Sequence, residues 1–272
     1  MSAPVTVPRP TWRFRIVATI VIVCVSLVRW RVRTEGLEHV PRAGGAVITW
    51  NHTSQVDFLL TMFDVYRRLD RPCRYLALRE LWSSTLFGWV PRFADAVPVD
   101  RSSDGDRDRA LADAVQALRD GHLVLVAPEG GISPSFEPLP WRTGAVRMAQ
   151  LAGVPVIPSV SWGTHRLVTT GHRFSPRAAW RIPVTVRFGP PVPVPPDADP
   201  VTMTTQLHGI TVAMLHAVQE RYPDGAPAGG WWVPARLGGG APDHATVLAD
   251  HDAARRARAV RRDDPGQDTV AS

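Results

Sequence analysis

The segment Asn51-His52-Thr53-Ser54-Gln55-Val56-Asp57 places an imidazole and a carboxylate five positions apart, with four residues between them, directly after an apolar run, Ala46 to Trp50. Helix geometry turns a side chain by about 140° over five residues, so His52 and Asp57 do not share a helix face. They meet if His52 lies in a turn and Asp57 in the first turn of the following helix. Asp57 then accepts from Nδ1–H and leaves Nε2 to act as a base. This is the orienting logic of a catalytic triad without a serine nucleophile. Alone, such a pair is more often a structural hydrogen bond than a catalytic one.

Two more blocks follow apolar runs. Pro128-Glu129-Gly130-Gly131-Ile132-Ser133 comes directly after His122 to Ala127. Glu129 is a charge at the end of a buried strand, suited to a hydroxylated substrate. The pair Gly130-Gly131 lets backbone N–H groups approach one closely. Val99-Asp100-Arg101 ends a third run, and Arg101 is a candidate phosphate ligand, although taken alone it reads better as a surface arginine. The chain has two cysteines, Cys24 and Cys73. No disulfide framework, no metal site and no resident cofactor are expected.

The elements that must position these groups alternate. Strands are expected at 46–50, 73–79, 96–99, 122–127, 154–160 and 184–188. Helices are expected at 54–69, 80–90 (ended by Pro91), 106–120 and 142–151. A late helix carries Leu207, Ile210, Met214 and Val218 on one stripe. Alternation of this kind predicts an α/β fold, with a mostly parallel central sheet flanked by helices and active residues at strand ends.

Hydrophobic residues make up 44% of the 272-residue chain and charged residues 21%, which excludes a largely disordered protein. The net charge is +6, and arginine supplies all of the basic charge, since the chain has no lysine. That charge is uneven. Residues 1–33 hold Arg9, Arg13, Arg15, Arg29, Arg31 and Arg33, with no acidic residue, around the apolar run Ile16 to Val28. Basic flanks on an apolar run suit an anionic membrane better than a nucleic acid, and no nucleic-acid partner is expected. The run would span about 20 Å as a helix, against roughly 30 Å of hydrocarbon. The expected arrangement is an uncleaved membrane-anchoring helix lying in the interface or dipping into one leaflet. A spanning helix and a buried helix are the alternatives. The domain reading is an anchor at 1–33, a catalytic domain at 34–222 and a flexible Gly/Pro/Arg/Asp-rich tail at 223–272. Trp231-Trp232 in that tail is expected to dock on the domain or sit at a membrane interface.

Taken together, the blocks resemble the glycerolipid acyltransferase family, the 1-acylglycerol-3-phosphate acyltransferases and their relatives. Asn51, His52 and Asp57 match its Asn-His-x-x-x-x-Asp block. Val97-Pro98-Val99-Asp100-Arg101 matches its second block. Pro128, Glu129, Gly130 and Ser133 match the third, which usually reads Pro-Glu-Gly-Thr-Arg-Ser. Val154-Pro155-Val156-Ile157-Pro158 matches the fourth, and Arg142-Thr143-Gly144 sits where the family has a basic residue before glycine. The likeness covers roughly residues 34–190.

The resemblance implies an acyltransferase with His52 and Asp57 as the catalytic pair. It implies substrate contacts from Asn51, Arg101, Glu129, Gly130, Gly131, Ser133 and Arg142. The donor is an acyl thioester, acyl-CoA or acyl-carrier protein, and the partners are a lipid acceptor and a membrane. The expected location is the cytoplasmic face of the cell membrane. Gly131 and Ile132 stand where the family has Thr and Arg. Ile132 offers neither charge nor donor, so the acceptor is lysophosphatidate with its phosphate held elsewhere, or another lipid. A lipid hydrolase is disfavoured by the absence of a Gly-x-Ser-x-Gly elbow. A non-catalytic lipid-binding protein is the remaining rival.

Overall fold

The computed structural model describes residues 7–27, 29–83, 88–94, 96–100, 104–172 and 180–263. Its strands are β1 (Arg31–Glu35), β2 (Ala46–Thr49), β3 (Cys73–Leu78), β4 (Val97–Val99), β5 (Leu123–Val126), β6 (Val156–Trp162) and β7 (Pro183–Phe188). Its helices are α1 (Trp12–Leu27), α2 (Asp57–Leu69), α3 (Trp89–Phe93), α4 (Asp104–Arg119), α5 (Gly144–Ala152), α6 (Pro200–Glu220) and α7 (His244–Asp263).

The strands form one sheet in the order β1-β7-β6-β2-β5-β3-β4. All pairings are parallel except β6 with β7. The expected α/β architecture is therefore present. Burial on both faces explains why β2, β5 and β6 read as continuous apolar runs instead of alternating ones. Ala46, Ile48, Leu123 and Leu125 face Phe14 and Val17 of α1 and Met62 and Phe63 of α2. Val47, Val124 and Val126 face the opposite way, onto Ala114 and Leu118 of α4, Met148 of α5 and Leu207 of α6. Each large side chain so buried contributes about 1.5–3 kcal/mol.

Parallel neighbours fix where chemistry can occur. β2 and β5 lie side by side with Thr49 opposite Val126. The residues that follow each strand, His52 and Glu129, therefore emerge at the same edge of the sheet. At the opposite edge Arg71 is almost fully buried and ties three loops together. Its guanidinium donates to the carbonyls of Pro41 (2.6 Å), Gly44 (2.8 Å) and Gly121 (2.6 Å). A buried cation needs such partners.

Three expectations change. The expected boundary at residue 33 falls inside β1, which pairs with β7. The sequence Arg31-Val32-Arg33-Thr34-Glu35 carries too few apolar residues to announce a strand, because an edge strand needs only partial burial. Pro91, expected to end a helix, sits inside the first turn of α3. The N–H that proline lacks is unsatisfied at that position in any helix. The segment expected to be a flexible tail is structured through residue 263 among the described residues. Trp232 and Val233 are buried against Phe136, Trp162 and Tyr222, so the tryptophan pair docks on the domain.

Candidate active site

The turn between β2 and α2 is built on Asp57. Its carboxylate is fully buried at the first position of α2. Oδ2 accepts from the backbone N–H groups of Thr53 and Ser54, both at 2.7 Å. Oδ1 accepts from the Ser161 hydroxyl at 3.2 Å and from the Thr164 hydroxyl. These donors and the helix N-terminus together compensate a buried negative charge.

His52 Nδ1 lies 3.5 Å from Asp57 Oδ2. That is the geometry expected from the spacing, slightly longer than a hydrogen bond. Nδ1 is buried and has no hydrogen-bond partner among the described residues. The His52 side chain as a whole keeps 21% of its exposure. The ring therefore shows its other edge, with Nε2, to the outside. The Trp50 ring flanks it edge-on at 6.2 Å between centroids.

The remaining block residues hold this pair in place. Asn51 is fully buried and spans the gap to β6. Its amide nitrogen donates to the Ser161 carbonyl (3.1 Å) and its amide oxygen accepts from the Ser161 N–H (2.8 Å). Ser161 thereby contacts both Asn51 and Asp57. Glu129, expected to face substrate, is 1% exposed. Its two oxygens accept from the N–H groups of His52 and Leu139, both at 2.9 Å. Ser133 is fully buried. Its N–H donates to the His52 carbonyl (2.8 Å) and its hydroxyl donates to the Glu137 carbonyl (2.5 Å). The His52 peptide is thus held on both sides by the loop after β5.

Gly130 adopts φ of 72°, which a side chain at that turn would strain. A side chain at Gly131 would meet no described atom within 4 Å, so the glycine leaves open space beside the loop. Arg142 is exposed, and its backbone N–H donates to the Pro128 carbonyl (3.0 Å), which folds it back beside the third block. Arg101 lies outside the described residues. The preceding Asp100 is 3.4 Å from Arg79.

Ser161 and Thr164 are the functional neighbours that sequence reasoning missed. A signal was present: Ser159 and Ser161 interrupt an otherwise apolar strand, and buried hydroxyls need partners. Among the described residues no group of three or more His, Cys, Asp or Glu could hold a metal ion.

Burial pushes the Glu129 carboxyl up to about 8, with Asp57 adding to the shift and the two backbone N–H groups opposing it. An unfolded carboxyl titrates at 4.5. Between those values the native chain keeps a proton that the unfolded chain has released. Glu129's contribution to stability is therefore full below 4.5 and is lost as pH rises through the folded value. Glu129→Gln sets an amide N–H₂ against one of the two backbone donors, costing about 1–3 kcal/mol at low pH. It carries no charge to desolvate at high pH. The melting temperature of Glu129→Gln is expected below that of the wild type in acid, with the gap closing as pH rises from 4.5 towards about 8. A gap independent of pH would contradict this reading.

Comparison with known proteins supplies the family. A family model described as Acyltransferase matches residues 31–162. The 1-acyl-sn-glycerol-3-phosphate acyltransferase alpha of Homo sapiens is 30% identical over 214 residues, covering 77% of this chain and 71% of that protein. The 1-acyl-sn-glycerol-3-phosphate acyltransferase of Bacillus subtilis (strain 168) is 27% identical over 136 residues, covering 50% of this chain and 65% of that protein. The crystal structure of PlsC, the 1-acyl-sn-glycerophosphate (LPA) acyltransferase of Thermotoga maritima, superposes with a TM-score of 0.62 at 22% identity, covering 77% of this chain and 80% of that one. The last likeness shows a shared fold. The family model and the human relative together define the class, an acyltransferase. Within that class the chain belongs to the 1-acyl-sn-glycerol-3-phosphate acyltransferase family.

Proposed function

We propose that the protein moves a fatty acyl group from an acyl thioester, acyl-CoA or acyl-carrier protein, to the free hydroxyl of 1-acylglycerol-3-phosphate, giving phosphatidic acid. The observation that carries this reading is the His52–Asp57 contact of 3.5 Å, with Nδ1 buried and the ring edge open. His52 Nε2 takes the hydroxyl proton as the oxygen attacks the thioester carbonyl. Asp57 orients the ring and balances the imidazolium. Collapse of the tetrahedral intermediate breaks the C–S bond, and the leaving thiolate takes the proton back from His52. No covalent acyl-enzyme is needed.

Ile132 favours a second reading, in which the acceptor is another lipid. It is half-buried and cannot hold a phosphate. Arg101 and Arg142 are the candidates for that task. Initial rates with lysophosphatidate and with monoacylglycerol separate the readings. Preference for lysophosphatidate, reduced by Arg142→Ala mainly in KM, is the expected result. Equal rates on both acceptors would favour the second reading.

The same reading places the protein on the cytoplasmic face of the cell membrane through α1. Phe14, Val17 and Ala18 bury one face of this helix against the domain. Trp12, Ile16, Ile20, Val23 and Leu27 line the other face, each more than 40% exposed. Their spacing of three or four residues keeps them on one side. Among the described residues no helix is long and apolar enough to cross a membrane. Interfacial docking of this stripe fits both facts. Ile16→Glu with Ile20→Glu is expected to lower vesicle-bound protein about tenfold, a loss of about 1.4 kcal/mol. Flotation with anionic vesicles measures it, and unchanged binding would rule the stripe out as the docking face.

A further inference from the structure

The loop that holds His52 is itself held from outside the 31–162 match, by the segment expected to be a tail. Glu137 is 6% exposed and sits between His216 and Arg236. His216 Nε2 lies 2.7 Å from its Oε2, and Arg236 Nε donates to Oε1 at 3.2 Å. Arg236 also donates to the Gln219 side-chain oxygen, and the Gln219 amide donates to the Phe136 carbonyl (3.5 Å). Phe136, Gln219, Arg236 and Glu137 thus close a ring of hydrogen bonds around the turn. A second strand of contacts starts at α7. His244 Nδ1 is 2.9 Å from the Ser135 hydroxyl, which is 3.1 Å from the Ser133 hydroxyl. The Ser133 N–H then meets the His52 carbonyl.

The turn needs this support. Phe136 is a non-glycine residue at φ of 61°, a conformation that persists only when its surroundings over-determine it. Its ring packs on Trp162, His165 and Trp231, and His165 Nε2–H donates to the Trp232 carbonyl (3.0 Å).

We propose that Arg236 and His244 are positioning residues for the reaction, fixing the 133–137 turn and through it the peptide and ring of His52. The inference rests on His52 acting as the base. It makes the C-terminal segment part of the catalytic machinery instead of an appendage.

Arg236→Ala and His244→Ala test it, with His244→Asn as a rescue that keeps a polar atom near the Nδ1 position. Val247→Ala serves as a control, since Val247 is buried in the same helix and, among the described residues, shares no hydrogen bond with the turn. Two readouts are needed, steady-state kinetics and the ring resonances of His52 in histidine-labelled protein without substrate. The alanine variants are expected to lower kcat about tenfold with KM for the acceptor changed less than about twofold, as for a misplaced base. They also shift the His52 resonance, and His244→Asn restores both. Folded alanine variants with wild-type kcat and an unmoved resonance would overturn the proposal. So would a loss of equal size, with the same resonance shift, in Val247→Ala. A wild type that transfers no acyl group would defeat the proposed function, while the His52 resonance would still decide this inference.

Discussion

His52→Ala is expected to abolish acyl transfer and leave the fold intact. Without the imidazole nothing at the end of β2 accepts the proton of the attacking hydroxyl. A positioned general base contributes about 10²–10⁴-fold, and an alcohol attacking a thioester at neutral pH depends on one. The fold is spared because no described group hydrogen-bonds the His52 ring. The bonds that hold the turn go to the His52 backbone, from Ser133 and to Glu129, and alanine keeps both. Initial rates and a thermal melt on the same preparation check both halves. A melting temperature near that of the wild type, with kcat at background, is the expected pair of results. Substantial residual activity would assign the base elsewhere.

Asp57→Asn has the second largest expected effect, and it acts by a different route. All the hydrogen bonds to Asp57 are donated to it, by two backbone N–H groups and two hydroxyls. Asparagine keeps the shape. Its carbonyl oxygen can take the Thr53 and Ser54 N–H groups, while the Ser161 and Thr164 hydroxyls turn to accept from its amide. The charge does not survive. The N-terminus of α2 loses about 0.3–1 kcal/mol of dipole stabilisation. The imidazolium formed during transfer would lose its counter-charge, while the carbonyl oxygen that replaces Oδ2 still faces Nδ1–H. In the comparable serine-protease triad the Asp-to-Asn change costs about 10⁴-fold in kcat. Here, with the 3.5 Å contact, a fall of about 10²–10³ is expected. KM should move little, because Asp57 is fully buried. A variant that loses affinity instead of kcat would mean that Asp57 shapes the pocket and does not serve the base.

The geometry of the candidate site was legible where it is local. His52 and Asp57 are separated by a single turn, and the apolar run before them is β2, so spacing alone placed the pair. The roles of Asn51, Glu129 and Ser133 were not legible. Each reads as a polar residue at a strand end, available to substrate. Their partners, Ser161, Leu139 and the His52 carbonyl, come from β6, from a loop and from the pair itself. Only the parallel pairing of β2 with β5 and β6 brings those together. The fold divides in the same way. β5 and β6 showed as apolar runs because both faces are covered, while β1 hid behind its arginines because one edge of it is not. Trp232 could have been read either as a docked residue or as a membrane anchor. Phe136 and Tyr222, lying elsewhere in the chain, decide that it is docked.

The most direct test follows a radiolabelled acyl group from acyl-CoA to lysophosphatidate in membranes holding either the wild type or His52→Ala. Labelled phosphatidic acid from the wild type alone is the predicted result. It would fix the reaction, the acceptor and the base at once, and show that Ile132 is tolerated in the third block. Equal labelling from both proteins would contradict the assignment of His52 as the base.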